Sequence, residues 1–352
     1  MKALKHWIAS AAMLAVAGYV AAAPEGLVAR VSAPQSVYSG DVNVDVVVSV
    51  TNTTRAPLTV LRWELPSARH DNALFDVLRD GVPVAYTGRL VKRAAPTVDD
   101  YVVIQPGETL SVTVELTSAY DLTRSGNYTV AFSSKGSRDG GGNLKSEAAF
   151  LWLQSRSGRG AVPSVAEMMA AINPVTGAVP TYLGCTAERT TQLAIATTDA
   201  LNYANAALTS MNGARSATLR FTRWFGPGSR SSWGTIKTNF TKISDAFANR
   251  QIEYDCSTCP AGPYASAYAY VFSNQPYKIY LCNAFWSAPA LGTDSKAGTL
   301  IHEMSHFTVV AGTQDFAYGQ TAAAALAISN PANAIRNADN HEYFAENTPI
   351  LP

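Results

Sequence analysis

The apolar residues of this chain change their spacing once, and that change limits the structures it can form. From Gly26 to Leu153 they recur at every second position, most clearly in DVNVDVVVSV (Asp41 to Val50), PLTVLRWEL (Pro57 to Leu65), TLSVTVEL (Thr109 to Leu116) and NYTVAFSS (Asn127 to Ser134). Successive side chains of a strand point to opposite faces, so this spacing makes half-buried strands, and the Gly, Pro, Asn and Asp between the runs supply turns. Short strands at such intervals, without helical runs, predict an antiparallel β-sandwich of roughly seven strands. After Thr181 the spacing becomes three and four. TTQLAIATTDALNYANAALTSM (Thr190 to Met211) is an alanine-rich helix candidate, and SSWGTIKTNFTKISDAF (Ser231 to Phe247) sets Trp233, Ile236, Phe240, Ile243 and Phe247 on one helical face. AYAYVF (Ala267 to Phe272) and KIYLC (Lys278 to Cys282) read as short strands, and KAGTLIHEMSHFTVV (Lys296 to Val310) as a helix with Thr293, Asp294 and Ser295 as capping candidates. The expected fold is therefore multidomain, an N-terminal all-β antiparallel sandwich followed by a mainly helical α+β domain. Residues 154–180, rich in Gly, Ser, Pro and Ala with one short helical candidate, read as a protease-accessible linker.

At 352 residues, 47% hydrophobic and only 15% charged, the chain can bury two cores. Lys2 and Lys5 precede an apolar run from Ile8 to Val20 and small residues at Ala21, Ala22 and Ala23, which is the pattern of a secretory signal cut near Ala22, leaving residues 1–22 behind. The run is too short to span a bilayer comfortably and no later one is longer, so a secreted, soluble protein is expected, with no membrane partner. Net charge is +1 with Lys and Arg scattered, which argues against nucleic acid as a partner. All four cysteines, Cys185, Cys256, Cys259 and Cys282, lie in the second half. An exported chain with one C-x2-C pair favours two disulfides over a zinc site, and spacing alone leaves three connectivities open. N-x-T sequons stand at Asn52, Asn127 and Asn239.

Two of the five histidines lie four residues apart in HEMSHFTVVAGTQDFAYG (His302 to Gly319). On a helix His302 and His306 share a face and Glu303 stands about a quarter-turn aside. Two imidazoles suit Zn²⁺, one ion per chain, and the carboxylate beside them can act as general base. A third ligand is required. An extended HExxHxxGxxH pattern would need glycine at 309 and histidine at 312, where this chain has Val309 and Gly312. Asp315 lies nine residues past His306, and a turn at Ala311 and Gly312 would return its carboxylate to the metal.

H-E-x-x-H followed by G-T-x-D-x-x-Y-G resembles the aspzincin (deuterolysin) metalloendopeptidases, and more closely their peptidyl-Lys branch. TYLGC (Thr181 to Cys185), YLCNAFWSAP (Tyr280 to Pro289), GTDSKAGTLIHEMSHF (Gly292 to Phe307) and NADNHEYFAEN (Asn337 to Asn347) read like the same enzymes, so the resemblance covers residues 181–352. It implies zinc ligands at His302, His306 and Asp315, a catalytic base at Glu303, and an oxyanion-stabilising hydroxyl at Tyr318. It also implies that Asp339 and Glu342 form an acidic pocket for the lysine that follows the cut bond, and that the bridges are Cys185–Cys256 and Cys259–Cys282. His341, between the two acids, reads as structural rather than as a further ligand.

By the same resemblance residues 23–153 would be a propeptide that aids folding and blocks the cleft, residues 154–180 the activation segment, and residues 181–352 the active enzyme, a monomer acting on protein or peptide substrates. Lys92, placed in a loop near Pro96, is the candidate to occupy the acidic pocket. Maturation before Thr181 departs from self-cutting at lysine, so either another protease makes that cut or the specificity is relaxed. Two rival readings are a deuterolysin-like protease of broader specificity and a secreted binding protein that uses the zincin domain as a scaffold.

Overall fold

The computed structural model describes residues 26–134, 143–157, 163–171, 178–212, 218–259, 264 and 266–352. The signal run, its cut site and parts of the linker lie outside the described residues.

The N-terminal half contains β1 (Leu27–Ser32), β2 (Val37–Ser39), β3 (Asp45–Asn52), β4 (Leu58–Leu61), β5 (Phe75–Arg79) and β6 (Val82–Pro83). It continues with β7 (Arg89–Arg93), β8 (Tyr101–Ile104), β9 (Thr109–Glu115), β10 (Gly126–Ser134), β11 (Leu144–Lys145) and β12 (Ala149–Gln154). One sheet has the order β1-β3-β9, another β2-β12-β10-β5-β6 with β11 beside β10, and β4 pairs with β8. Val46, Val48 and Val50 of β3 point inward and are fully buried, meeting Val77, Tyr128, Val130 and Leu151 of the facing sheet in a single core. Full burial of each such side chain contributes about 1.5–3 kcal/mol, which is why alternation in the sequence becomes a two-layer fold. Two details differ from the expected sandwich. The run from Pro57 leaves the sheet at Leu61, because Arg62–Glu64 forms a 3-10 turn that buries Glu64 against Ser134 Oγ at 3.0 Å. In addition, β2 pairs with β12 in parallel.

The second half contains α1 (Val165–Ala171), β13 (Thr181–Leu183), α2 (Ala187–Ser210), α3 (Leu219–Phe225), α4 (Arg230–Asn249), β14 (Glu253–Asp255), β15 (Ala267–Phe272) and β16 (Lys278–Leu281). It closes with α5 (Asn283–Ser287), α6 (Lys296–His306), α7 (Gln320–Ser329), α8 (Pro331–Ala334) and α9 (Ala338–Glu346). Ala196, Ala200, Ala204 and Ala207 form a buried stripe on α2, so small that α4 and α6 pack closely against it. The five apolar residues that the spacing aligned on α4 are all buried, and Ser229 caps that helix with Ser232. The disulfides are Cys185–Cys256 and Cys259–Cys282.

The two halves share a sheet. Strand β7 leaves the sandwich and pairs antiparallel with β15, completing the order β13-β14-β16-β15-β7. Lys92 therefore sits in a strand and not in the expected loop. Leu90 to Arg93 are buried on both faces, so the segment lacks the polar alternation that marks a one-sided strand.

Candidate active site

The site is built on α6. Ser295 caps it, its Oγ accepting from Gly298 N at 2.9 Å, and all residues from Ala297 to His306 are buried. Glu346 at the end of α9 clamps the same turn, accepting from Ser295 N at 2.9 Å and Ser295 Oγ at 2.8 Å. Gly298 permits this approach, since a Cβ there would lie 2.0 Å from Glu346 Oε1. Helix α6 ends at His306, earlier than the spacing predicts, because the chain turns at Phe307 and passes through Gly312 at φ +60°. The turn brings Thr313 O to 3.0 Å from His306 Nδ1 and delivers Asp315 to the histidines.

His302 Nε2 and His306 Nε2 lie 3.2 and 3.4 Å from the same oxygen, Asp315 Oδ1. The other ring nitrogens fix the tautomers. His306 Nδ1 faces a carbonyl and must carry the proton, while His302 Nδ1 faces Asp339 Oδ1 at 2.8 Å and Glu342 Oε2 at 3.3 Å. Both Nε2 lone pairs thus converge with a carboxylate oxygen in a volume closed to water, with the three ligand atoms within 4.8 Å of one another. This crowding of acceptors calls for positive charge between them, and two nitrogens with one oxygen suit Zn²⁺. The surrounding carboxylates make the volume favourable for such charge: burial opposes charge on His302, but Asp315, Asp339 and Glu342 outweigh it and raise its pKa well above the usual imidazole value.

Glu303 is fully buried, and burial is the main reason its carboxyl is pushed up to about 8; His302 opposes this and Asp315 reinforces it. The nearby Lys92 main chain also opposes the rise, although neither Glu303 oxygen accepts a hydrogen bond from the described residues. Tyr318 is buried too, its hydroxyl accepting from Arg93 Nη1 at 3.3 Å and its ring edge-on to Trp63 at 6.1 Å. Burial raises its pKa well above the ordinary phenol value, so the hydroxyl keeps its proton.

Beside the histidines lies an acidic well. Lys92 Nζ, with no exposure, is 2.6 Å from Glu342 Oε2, 3.1 Å from Asp294 Oδ1 and 3.4 Å from Asp339 Oδ1. The Tyr268 and Tyr343 rings flank it at 5.4 and 5.5 Å. Burial opposes its charge, yet the carboxylates hold the Lys92 pKa well above that of an ordinary lysine. Asp339 and Glu342 share one face of α9, as their spacing predicts. Asp294 joins them from the turn before α6, a contact that sequence reasoning missed because the residue read as a capping candidate. Asn337 was missed as well. Its Oδ1 accepts from Phe316 N at 2.7 Å and Ala317 N at 3.1 Å, holding the loop that carries Asp315. Its place inside NADNHEYFAEN was the only signal. His341 is bonded at Nδ1 to Asn337 O at 2.9 Å and at Nε2 to Asn239 at 3.1 Å, so it is structural.

A family model described as lysine-specific metallo-endopeptidase, Aspzincin M35, matches residues 210–346. An extracellular protease of Aeromonas hydrophila is 40% identical, the match covering 87% of this chain and 89% of that one. A peptidyl-Lys metalloendopeptidase of Armillaria mellea is 36% identical over 94% of both chains. Among solved structures, a zinc peptidase from Grifola frondosa is 44% identical and aligns with 48% of this chain and all of its own, with a TM-score of 0.45.

Proposed function

Because the chain belongs to the aspzincin family and is a zinc protease of the peptidyl-Lys metalloendopeptidase type, we propose that it is an exported endopeptidase that cuts before lysine and is held shut by its own N-terminal half. The observation that carries this reading is the position of Lys92. Its ammonium fills the well of Asp294, Asp339 and Glu342 while its main chain runs beside Glu303, which supports reading Val91–Lys92 as the bond a substrate would present to that carboxylate.

His302, His306 and Asp315 would hold the zinc. When bound, zinc supplies Lewis acidity, polarising a carbonyl and bringing the pKa of water down to about 7. Glu303 takes a proton from the water that attacks the peptide carbonyl and gives it to the departing nitrogen. The Tyr318 hydroxyl, protonated over the whole physiological range, donates to the developing oxyanion. Three carboxylates in a sheltered well favour a lysine ammonium over an apolar side chain by several kcal/mol, on the order of the values for buried charge pairs.

We assign residues 1–22 to the signal, 23–153 to the inhibitory and folding-assisting propeptide, 154–180 to the activation segment and 181–352 to the enzyme. Val179 is 73% exposed, which offers a protease the junction before Thr181. Two disulfides, an extracellular relative and the absence among the described residues of any helix long and apolar enough to cross a membrane support export. Asn52 is an unsuitable glycan site, since it is fully buried and donates to Ala56 O and Ile104 O at 2.8 Å.

The test compares the mature enzyme with Glu303→Gln. Both should carry one zinc per chain, whereas casein digestion should be lost in the variant and lost in the wild type after treatment with a chelator. A Glu303→Gln enzyme that still digests casein would refute the assignment of the base.

A further inference from the structure

We infer that Tyr270, Phe272 and Tyr280 form a substrate subsite that selects a cationic side chain, arginine or lysine, at the third residue before the cut bond. This rests on the reading above, in which β7 lies as a substrate does. Strand register then assigns every position. Lys92 pairs with Ala269, Val91 with Tyr270, Leu90 with Val271 and Arg89 with Phe272. With Val91–Lys92 as the scissile bond, Leu90 is the second residue before it and Arg89 the third.

Side chains alternate along a strand, so Arg89 stands on the face opposite Lys92, away from the acidic well. That face of the catalytic domain presents aromatic rings. Tyr270 and Tyr280 stack with centroids 4.5 Å apart and planes 3° apart, and Phe272 meets each edge-on at 5.9 and 5.8 Å. The Arg89 guanidinium carbon lies 5.6 Å from the Tyr270 centroid and 5.9 Å from that of Phe272. The electron-rich faces of such rings attract a cation.

The remaining polar partners of Arg89 divide by origin. Asp71, at 3.6 Å, and the Arg69 carbonyl, at 3.1 Å, belong to the N-terminal half and leave with it, whereas the Tyr264 hydroxyl, at 3.4 Å, belongs to the enzyme. The rings stay with the enzyme, on strands adjoining the Cys259–Cys282 bridge. A substrate strand that replaces β7 therefore meets the same shelf. A shelf wet on one side discriminates modestly, and 0.5–2 kcal/mol corresponds to about 2- to 30-fold in kcat/KM.

The test uses enzyme matured from the full-length chain and fluorogenic peptides of the form Xaa-Leu-Val-Lys-Ala, with Arg, Lys, Ala or Glu as Xaa, plus a series with Ala in place of the internal Lys. The expected result is cleavage before the internal Lys, with Arg or Lys as Xaa favoured over Ala by about 2- to 30-fold and Glu below Ala. In Tyr270→Leu and in Phe272→Leu the Arg-to-Ala ratio should fall to about 1. Cleavage before Lys that is indifferent to Xaa would overturn the subsite while leaving the lysine reading intact, the shelf then serving only to dock the propeptide. If cleavage shows no dependence on the internal Lys, both fall together.

Discussion

Asp339 stands between the histidines and the acidic well and contacts both. Its Oδ1 is 2.8 Å from His302 Nδ1, where it would fix the proposed zinc ligand, and 3.4 Å from Lys92 Nζ, where it helps form the acidic well. Replacing it by Asn should therefore lower zinc affinity by about 10- to 100-fold and also weaken lysine preference. Asp294→Asn should weaken the preference alone, because Asp294 touches Lys92 but not the histidines. Chelator competition and paired Lys and Ala peptides measure the two effects, and equal zinc affinity in all three proteins would contradict the dual role. His341 carries a pH dependence. Burial pushes its pKa down to about 4 from 6.5, so the folded state disfavours the proton that the unfolded chain accepts. Its contribution is complete above pH 6.5 and is lost as pH falls towards 4, a change of about 3 kcal/mol. Urea unfolding should show a stability gap between wild type and His341→Gln that is wide at pH 7 and mostly closed at pH 4. A gap that stays constant would contradict this. Local motifs made much of the site legible: a helix repeat brings His302, Glu303 and His306 together with no knowledge of the rest. Asp294 was not legible, because its role depends on where α9 lies.

The loop between α6 and α7 is the element that completes the proposed ligand set. Thr313 O fixes His306, Gln314 N donates to Arg336 O at 2.7 Å, and Asn337 holds the next two amides. Asn337→Ala should free that loop and lower zinc affinity by about 10- to 100-fold without touching a ligand, as read by chelator competition; unchanged affinity would mean that packing alone holds Asp315. The elements themselves were mostly readable. Helix α4 followed from five apolar residues, and β3 from strict alternation. The premature end of α6 was not readable, since Phe307 to Val310 continue the apolar pattern while leaving the helix. They bury their side chains in the turn instead, where Phe307, Val309 and Val310 are almost wholly covered.

At the scale of the molecule, the sequence divided into two domains but concealed that one sheet crosses the division. Periodicity reports which faces of a segment are buried and not what buries them, so β7 gave no sign that its neighbour, β15, lies far along the chain. On the proposed function, that shared strand links folding to inhibition. Without β7, the β15 edge is open to an extended substrate. Lys92→Ala should weaken inhibition by the N-terminal half by about 30-fold or more, because Asp339 and Glu342 would be left buried, and Asp294 partly so, without their cation. Residual activity of the uncleaved full-length chain measures this, and an equally silent variant would show that strand pairing alone closes the cleft. The most direct test of the whole account is a mass-spectrometric map of the peptides that the mature enzyme releases from a reduced, unfolded protein of known sequence. The account predicts new amino termini that are almost all lysine, and none once zinc is removed. Cuts scattered over many residue types, with lysine no more frequent than its share of the sequence, would contradict it.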